Sequence, residues 1–200
     1  MKFLLATTNA GKIREFSRIL KGLPLEVVSL RDIKDFKPAK ETGKSFTANA
    51  RIKAKTYYRQ TRLLTLAEDS GLQVDCLGGE PDIRSARYAG DHATDGDNIR
   101  KLLRRMRGTK ARDRTARFVS IIVITDGKRM WMAGGKCEGR IATRPSGESG
   151  FGYDPVFIPE GYNTTFARLG SKVKNEISHR AQALANARHI LERIVAGHTK

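Results

Sequence analysis

The sequence predicts a mixed α/β fold, and three observations carry that expectation. Residues 2–7 (KFLLAT) form a continuous apolar run, the mark of a strand buried on both faces. A small polar turn follows, then Ile13, Phe16, Ile19 and Leu20 at helical spacing, so strand and helix alternate early. Residues 118–125 (FVSIIVIT) and 128–135 (KRMWMAGG) flank Asp126-Gly127, a dipeptide favoured in two-residue hairpin turns of primed geometry. Alternation interrupted by a central hairpin argues for a mixed sheet flanked by helices, not a purely parallel one.

The remaining elements follow in order. Residues 25–30 read as a second strand. Ser45 can cap a helix to about Arg59, with Phe46, Ala50, Ala54 and Tyr57 inward. Residues 63–67 are an apolar strand expected to deliver Glu68-Asp69-Ser70-Gly71 at its C-terminal end. A helix is expected over residues 97–106. Ser178 is expected to cap a final helix to about Ala196, with Leu184, Ala187, Leu191 and Ile194 as its apolar stripe.

Two hundred residues with 39% hydrophobic content suffice for one large domain or two closely packed lobes, and no repeat or linker divides the chain. The longest apolar stretch, residues 119–124, is too short to span a bilayer. The N-terminal segment lacks the extended apolar region of a secretory signal, so the cytoplasm is the expected location. Cys76 and Cys137 form no CxxC pair and read as reduced thiols, not zinc ligands.

A formal charge of +17 predicts an anionic partner: nucleic acid, a polyphosphate substrate or acidic lipid. The basic residues are densest at Arg100, Lys101, Arg104, Arg105, Arg107, Lys110, Arg112, Arg114 and Arg117. No aromatics interleave there to stack bases, which favours a solvated helix face and loop over a nucleic-acid surface.

Four polar clusters interrupt the structural elements where a site can be built. In Thr7-Thr8-Asn9-Ala10-Gly11-Lys12 a strand ends and a helix begins, and the free N–H groups of a helix start attract phosphate. The Walker pattern is absent. Glu41-Thr42-Gly43 precedes a helix on which Asn49 and Lys53, four apart, share a face. Glu68 and Asp69 are adjacent carboxylates that repel and resist desolvation unless a cation is near. Magnesium, which takes one or two carboxylates with water and phosphate oxygens, suits Asp69 with Glu41. The fourth cluster joins Gly150-Phe151-Gly152-Tyr153-Asp154 to Lys174, His179 and Arg180, with an aromatic able to stack on a base and cations around a helix start.

These clusters, in this order, resemble the inosine triphosphate pyrophosphatase family. The resemblance runs from Phe3 to the last helix through TTNAGKIREF (7–16), ETGKSFTANARIKA (41–54), LAEDSGLQVDCLGGEPDIRSARYAG (66–90), TARFVSIIVI (115–124), SGFGYDPVF (149–157) and VKNEISHRAQAL (173–184). It implies a two-lobed fold with the active site in the cleft between lobes, and a homodimer. The implied reaction is Mg²⁺-dependent hydrolysis of ITP, dITP or XTP to the monophosphate and pyrophosphate. Asp69 would be the general base and a metal ligand, Glu41 a second ligand and Glu68 a further candidate. Thr7, Thr8, Asn9, Ala10, Gly11, Lys12 and Lys53 would hold the triphosphate, and Ser70 would contact the substrate. Phe151, Gly152, Tyr153, Asp154, Lys174, His179 and Arg180 would form the nucleobase and sugar side. Three positions depart from the bacterial pattern: Glu68 stands for aspartate, Ala48 for a carboxylate and Asp82 for a glycine.

The implied chemistry is electrostatic. Lysines and magnesium neutralise the phosphates while Asp69 orients and deprotonates water. Arg180, a donor only, would favour the C6 oxygen of hypoxanthine or xanthine over the amino group of adenine. Two alternatives stand beside this reading. One is a pyrophosphatase for pyrimidine or modified nucleotides; the other is a basic nucleic-acid-binding protein using the 100–117 stretch.

Overall fold

The computed structural model describes residues 1–198. One mixed sheet has the order β2-β1-β3-β4-β5-β6. Its strands are β1 (Lys2–Leu5), β2 (Glu26–Ser29), β3 (Leu64–Val74), β4 (Thr115–Thr125), β5 (Met130–Ile141) and β6 (Phe157–Pro159). β1 pairs in parallel with β2 and β3, and β5 pairs antiparallel with β6. The helices are α1 (Ala10–Ile19), α2 (Phe46–Thr61), α3 (Asp95–Arg105), α4 (Phe166–Ile177) and α5 (His179–His198). Among the described residues no helix is long and apolar enough to cross a membrane.

The chain gathers into two compact units, with β3, β4 and β5 contributing a stretch to each. The first unit comprises Met1–Asp69, Ser120–Gly135 and the segment from Arg180 onward. Its part of the sheet is covered on both faces, which explains why β1 reads as unbroken apolar sequence. Phe3, Leu5, Leu64, Leu66, Ile122 and Ile124 pack with Phe16 and Leu20 of α1 and Leu184, Ala187 and Leu191 of α5. Leu4, Ala6, Ala67 and Val123, alternating with them, pack with Ala50, Ala54 and Tyr57 of α2. α1 and α2 start on capping side chains: Asn9 accepts from the Lys12 amide, and Ser45 from the Ala48 amide.

The second unit comprises Ser70–Val119 and Lys136–His179. Leu72, Val74, Leu102, Met106, Phe118, Phe157 and Phe166 form its core. The Arg114 guanidinium, buried at its edge, donates to the carbonyls of Met106, Ile141 and Ala142. Asp82 has φ 51°, in the left-handed region that suits glycine, and its side chain accepts from Gln73. The departure from glycine is thus accommodated by an ordinary aspartate turn.

Two expectations are corrected. β3 does not stop near Ala67: it runs eleven residues, so Glu68 and Asp69 lie inside the strand. Leu72 and Val74, both fully buried, resume the apolar pattern beyond them. The β4–β5 connection is not a two-residue primed turn but a loop of residues 126–129. Gly127 has φ 87°, Asp126 does not share a positive φ, and the Asp126 carboxylate accepts from the Lys128 and Arg129 amides. Ser178, extended (φ −69°, ψ 158°), stands immediately before α5 where the cap was expected, and Lys174 lies inside α4.

Candidate active site

Strand alternation sorts the two adjacent carboxylates. Glu68 falls in the Leu64–Leu66 series that faces α1 and α5; Asp69 falls with Ala67, facing α2. Each is therefore met by cations from different helices. Glu68 Oε2 lies 2.7 Å from Lys12 Nζ of α1, and its Oε1 accepts from Arg180 Nε of α5 at 3.0 Å and from Ser120 Oγ at 2.8 Å. Arg180 Nη1 also donates to Glu15 at 2.6 Å, which closes a buried chain of Glu15, Arg180, Glu68 and Lys12. On the other side Lys53 Nζ of α2 donates to Asp69 Oδ1 at 2.6 Å and lies 3.5 Å from Glu41 Oε2.

The first unit thus collects Lys12, Lys53 and Arg180 against Glu15, Glu41, Glu68 and Asp69, three cations against four carboxylates. Burial lowers the Lys12 pKa despite the neighbouring Glu68. Burial also pulls on Lys53, but Asp69 and Glu41 outweigh it and hold the ammonium above its ordinary value. Burial raises the Asp69 carboxyl, and Lys53 only partly offsets that.

The Glu41 loop is held by a residue whose role sequence reasoning left open. Asn49 is fully buried, and its Oδ1 accepts the Gly43 amide at 2.8 Å. Asn49 and Lys53 do share a helix face, one fastening the loop and the other pairing with its carboxylate. A buried asparagine four residues before a lysine was the available signal.

The residues present suit a divalent cation. Asp69 Oδ2 is buried without a hydrogen-bond partner, and Glu41 shares Lys53 with the same carboxylate. Among the described residues no group of three or more His, Cys, Asp or Glu could close around a metal. Two carboxylates with water and phosphate oxygens are what magnesium uses. Glu68, the further candidate ligand, has both of its oxygens engaged by Lys12, Arg180 and Ser120.

The second unit holds the other cluster. Lys174 and Asp154 form a buried ion pair at 2.5 Å, and Asp154 Oδ2 also accepts the Phe151 amide. Lys174 Nζ lies 4.2 Å from the centre of the Phe151 ring. Gly150 has φ 89°, and a Cβ there would fall 2.1 Å from Asp154 Oδ2, so only glycine lets the loop close on that carboxylate. Gly152 donates its amide to Asp95. Tyr153 is a core residue whose hydroxyl donates to the Ser85 carbonyl, and burial pushes its pKa up. The His179 ring stacks on Phe118 with 4.6 Å between centres.

The Ham1 family profile matches residues 3–190. The chain belongs to the Ham1 family. A protein named dITP/XTP pyrophosphatase from Geobacillus kaustophilus is 44% identical over 98% of this chain and 97% of its own. A protein of the same name from Bdellovibrio bacteriovorus is 46% identical over 92% and 94%. Among solved structures, a HAM1 protein from Coxiella burnetii superposes with a TM-score of 0.89 at 36% identity, covering 96% of this chain and 99% of that one.

In this Ham1 chain the residues singled out from the sequence fall into two sets. Lys12, Glu41, Lys53, Glu68 and Asp69 come together in the first unit with the Asn9-capped start of α1, where Thr7 Oγ1 accepts the Asn9 amide. Phe151, Gly152, Tyr153, Asp154, Lys174 and His179 belong to the second, as does the half-buried Ser70 that follows Asp69. Arg180, expected among the nucleobase residues, has its guanidinium on Glu15 and Glu68. Tyr153 and Asp154 are buried, which leaves the partly exposed Phe151 ring as the aromatic of that loop able to meet a base.

Proposed function

We propose that this chain is a Mg²⁺-dependent nucleoside triphosphate pyrophosphohydrolase. It converts dITP, ITP and XTP to the monophosphate and pyrophosphate and so removes non-standard purines from the nucleotide pool. The names of its close relatives support the substrate class. The observation that carries the chemistry is Asp69, a buried carboxylate with one oxygen on Lys53, the other without a partner, and a pKa raised by burial.

Asp69 Oδ2 is the atom available to take a proton from water. The water oxygen forms a bond to the α-phosphorus, the α–β bridging bond breaks, and pyrophosphate leaves with the electron pair. Lys53 fixes Asp69 and adds positive charge beside it. Lys12, with the first amides of α1, meets the phosphate oxygens, as donors at a helix start do. Glu41 and Asp69 would hold Mg²⁺, which supplies further neutralisation of the phosphate charge. Phe151, whose ring lies against Lys174, and Arg180, a donor-only side chain, are assigned to the purine by the family resemblance.

The same proposal includes a cytoplasmic homodimer, supported by the family resemblance alone and checked by light scattering. The test of the reaction is pyrophosphate release from dITP, ITP, XTP, GTP and ATP, with and without Mg²⁺. Release from the first three in Mg²⁺ is expected. Release of orthophosphate alone, or no turnover of any keto purine, would overturn the reading.

A further inference from the structure

The basic stretch over residues 100–117 is largely spent within its own unit. Arg114 is buried, Arg117 pairs with Asp75 and Glu138, Arg105 with Glu80, and Arg100 with Asp97. A second basic surface lies in the first unit. Arg51, Lys55, Arg59 and Arg62 fall at steps of four, four and three along α2 and its C-cap, so they form one exposed stripe. α2 contains no acidic residue, and among the described residues no carboxylate pairs with these four cations. Like charges repeated about every 6 Å along a helix repel one another, a cost relieved by an anionic partner of similar repeat.

The β4–β5 loop extends the stripe. Lys128 and Arg129 line, with Lys55, Arg59 and Arg62, a groove of about 470 Å³. Tyr58 sits in the same groove with the Arg62 guanidinium 5.9 Å from its ring centre. Gly127 makes that junction. A Cβ there would fall 2.1 Å from the Tyr58 ring, so glycine alone lets the loop lie against the aromatic. Arg129 in turn lies 5.2 Å from the centre of the Trp131 ring. A cation-lined groove with an aromatic ring, Tyr58, in its wall is the chemistry that binds single strands: cations follow the phosphates, and a ring stacks on bases without regard to sequence.

We infer that the groove between α2 and the β4–β5 loop binds single-stranded nucleic acid, independently of the proposed hydrolysis. Its probe is a fluorescein-labelled dodecathymidylate followed by anisotropy at graded salt. The wild type is expected to bind at low salt. The R59Q/R62Q/K128Q variant should bind at least tenfold more weakly, with a salt slope shallower by about 2, given about 0.7 per phosphate contact for single strands. An R104Q/R107Q/K110Q variant, which removes as much charge from the second unit, should bind like wild type. Y58L should lose the preference for single strand over duplex.

Absence of wild-type binding, or equal loss in both triple variants, would overturn the inference. So would equal affinity for duplex and single strand in the wild type, or binding only to phosphatidylserine vesicles. Pyrophosphate release should be unchanged in R59Q/R62Q/K128Q. Should no variant or wild type release pyrophosphate, the oligonucleotide result still stands or falls by itself.

Discussion

The Asn49 side chain holds the Gly43 amide at 2.8 Å, and a Cβ on Gly43 would lie 2.6 Å from the same oxygen. The pair is a clasp: a buried amide on α2 fastens the loop that carries Glu41. Asn49→Ala removes the acceptor and leaves a backbone N–H facing a buried gap, a loss of about 1–3 kcal/mol. Gly43→Ala forces the oxygen away and should cost a similar amount. Both should lower the melting temperature and raise the Mg²⁺ concentration needed for half-maximal pyrophosphate release. A variant of either kind with wild-type stability and metal response would remove the clasp from the account.

Asp69→Asn keeps the shape of the side chain and removes the base. Turnover is expected to fall by about 10²–10⁴-fold, the usual contribution of a positioned base. Nucleotide affinity, carried chiefly by lysines and backbone amides, should change far less. Equilibrium binding of ITP alongside single-turnover pyrophosphate release separates the two. More than a few per cent of residual rate would assign the base elsewhere.

Much of this was legible in the residues, for reasons that can be traced. The strand that begins at Lys2, the helix with Ile13, Phe16 and Ile19 at helical spacing, and the helix capped by Ser45 were readable because capping and apolar period are local properties. The extension of β3 through Glu68 and Asp69 was hidden. Two adjacent charges end a strand unless cations from elsewhere in the chain reach them, and Arg180 lies 112 residues from Glu68. The ion pairs of Arg180 were hidden for the same reason. Its neighbours in sequence, Lys174 and His179, belong to the second unit, whereas its ion pairs belong to the first. Tyr153 was set on the nucleobase side by the resemblance, and only tertiary packing shows its hydroxyl seated on Ser85.

Acid should loosen the second unit through Asp75 and Glu138. The Thr115 hydroxyl and Arg117 hold the Asp75 carboxyl below its ordinary 3.8. Lys136 and Arg117 likewise bring Glu138 below its ordinary 4.5, against the pull of burial. A carboxyl depressed in the folded state contributes stability that is present above its unfolded pKa and lost as pH falls through the folded one. The melting temperature should therefore decline on acidification below about pH 4, the range of an unperturbed carboxylate. Arg117→Gln should flatten that decline and cost about 0.5–1 kcal/mol at pH 7, since both carboxylates are partly solvated. An identical acid profile in the variant would show that these pairs do not couple folding to pH.

Arg180 separates two roles that one substitution confounds. Truncation to alanine strips the counter-charge from Glu68 and Glu15, both well buried at their carboxylates. Removing one partner of a buried pair typically costs about 3–5 kcal/mol, so Arg180→Ala is expected to lose stability whatever it does to the base. Arg180→Lys keeps the charge but not the planar fork. It should retain most of the stability while losing the planar geometry with which the guanidinium spans two carboxylates. The kcat/KM ratio of ITP to ATP is then the informative quantity. A fall of about ten- to a hundredfold, the worth of about 1–3 kcal/mol for one polar mismatch, would place Arg180 in base readout. An unchanged ratio with both rates reduced equally would confine it to holding Glu68 and, through Glu68, Lys12.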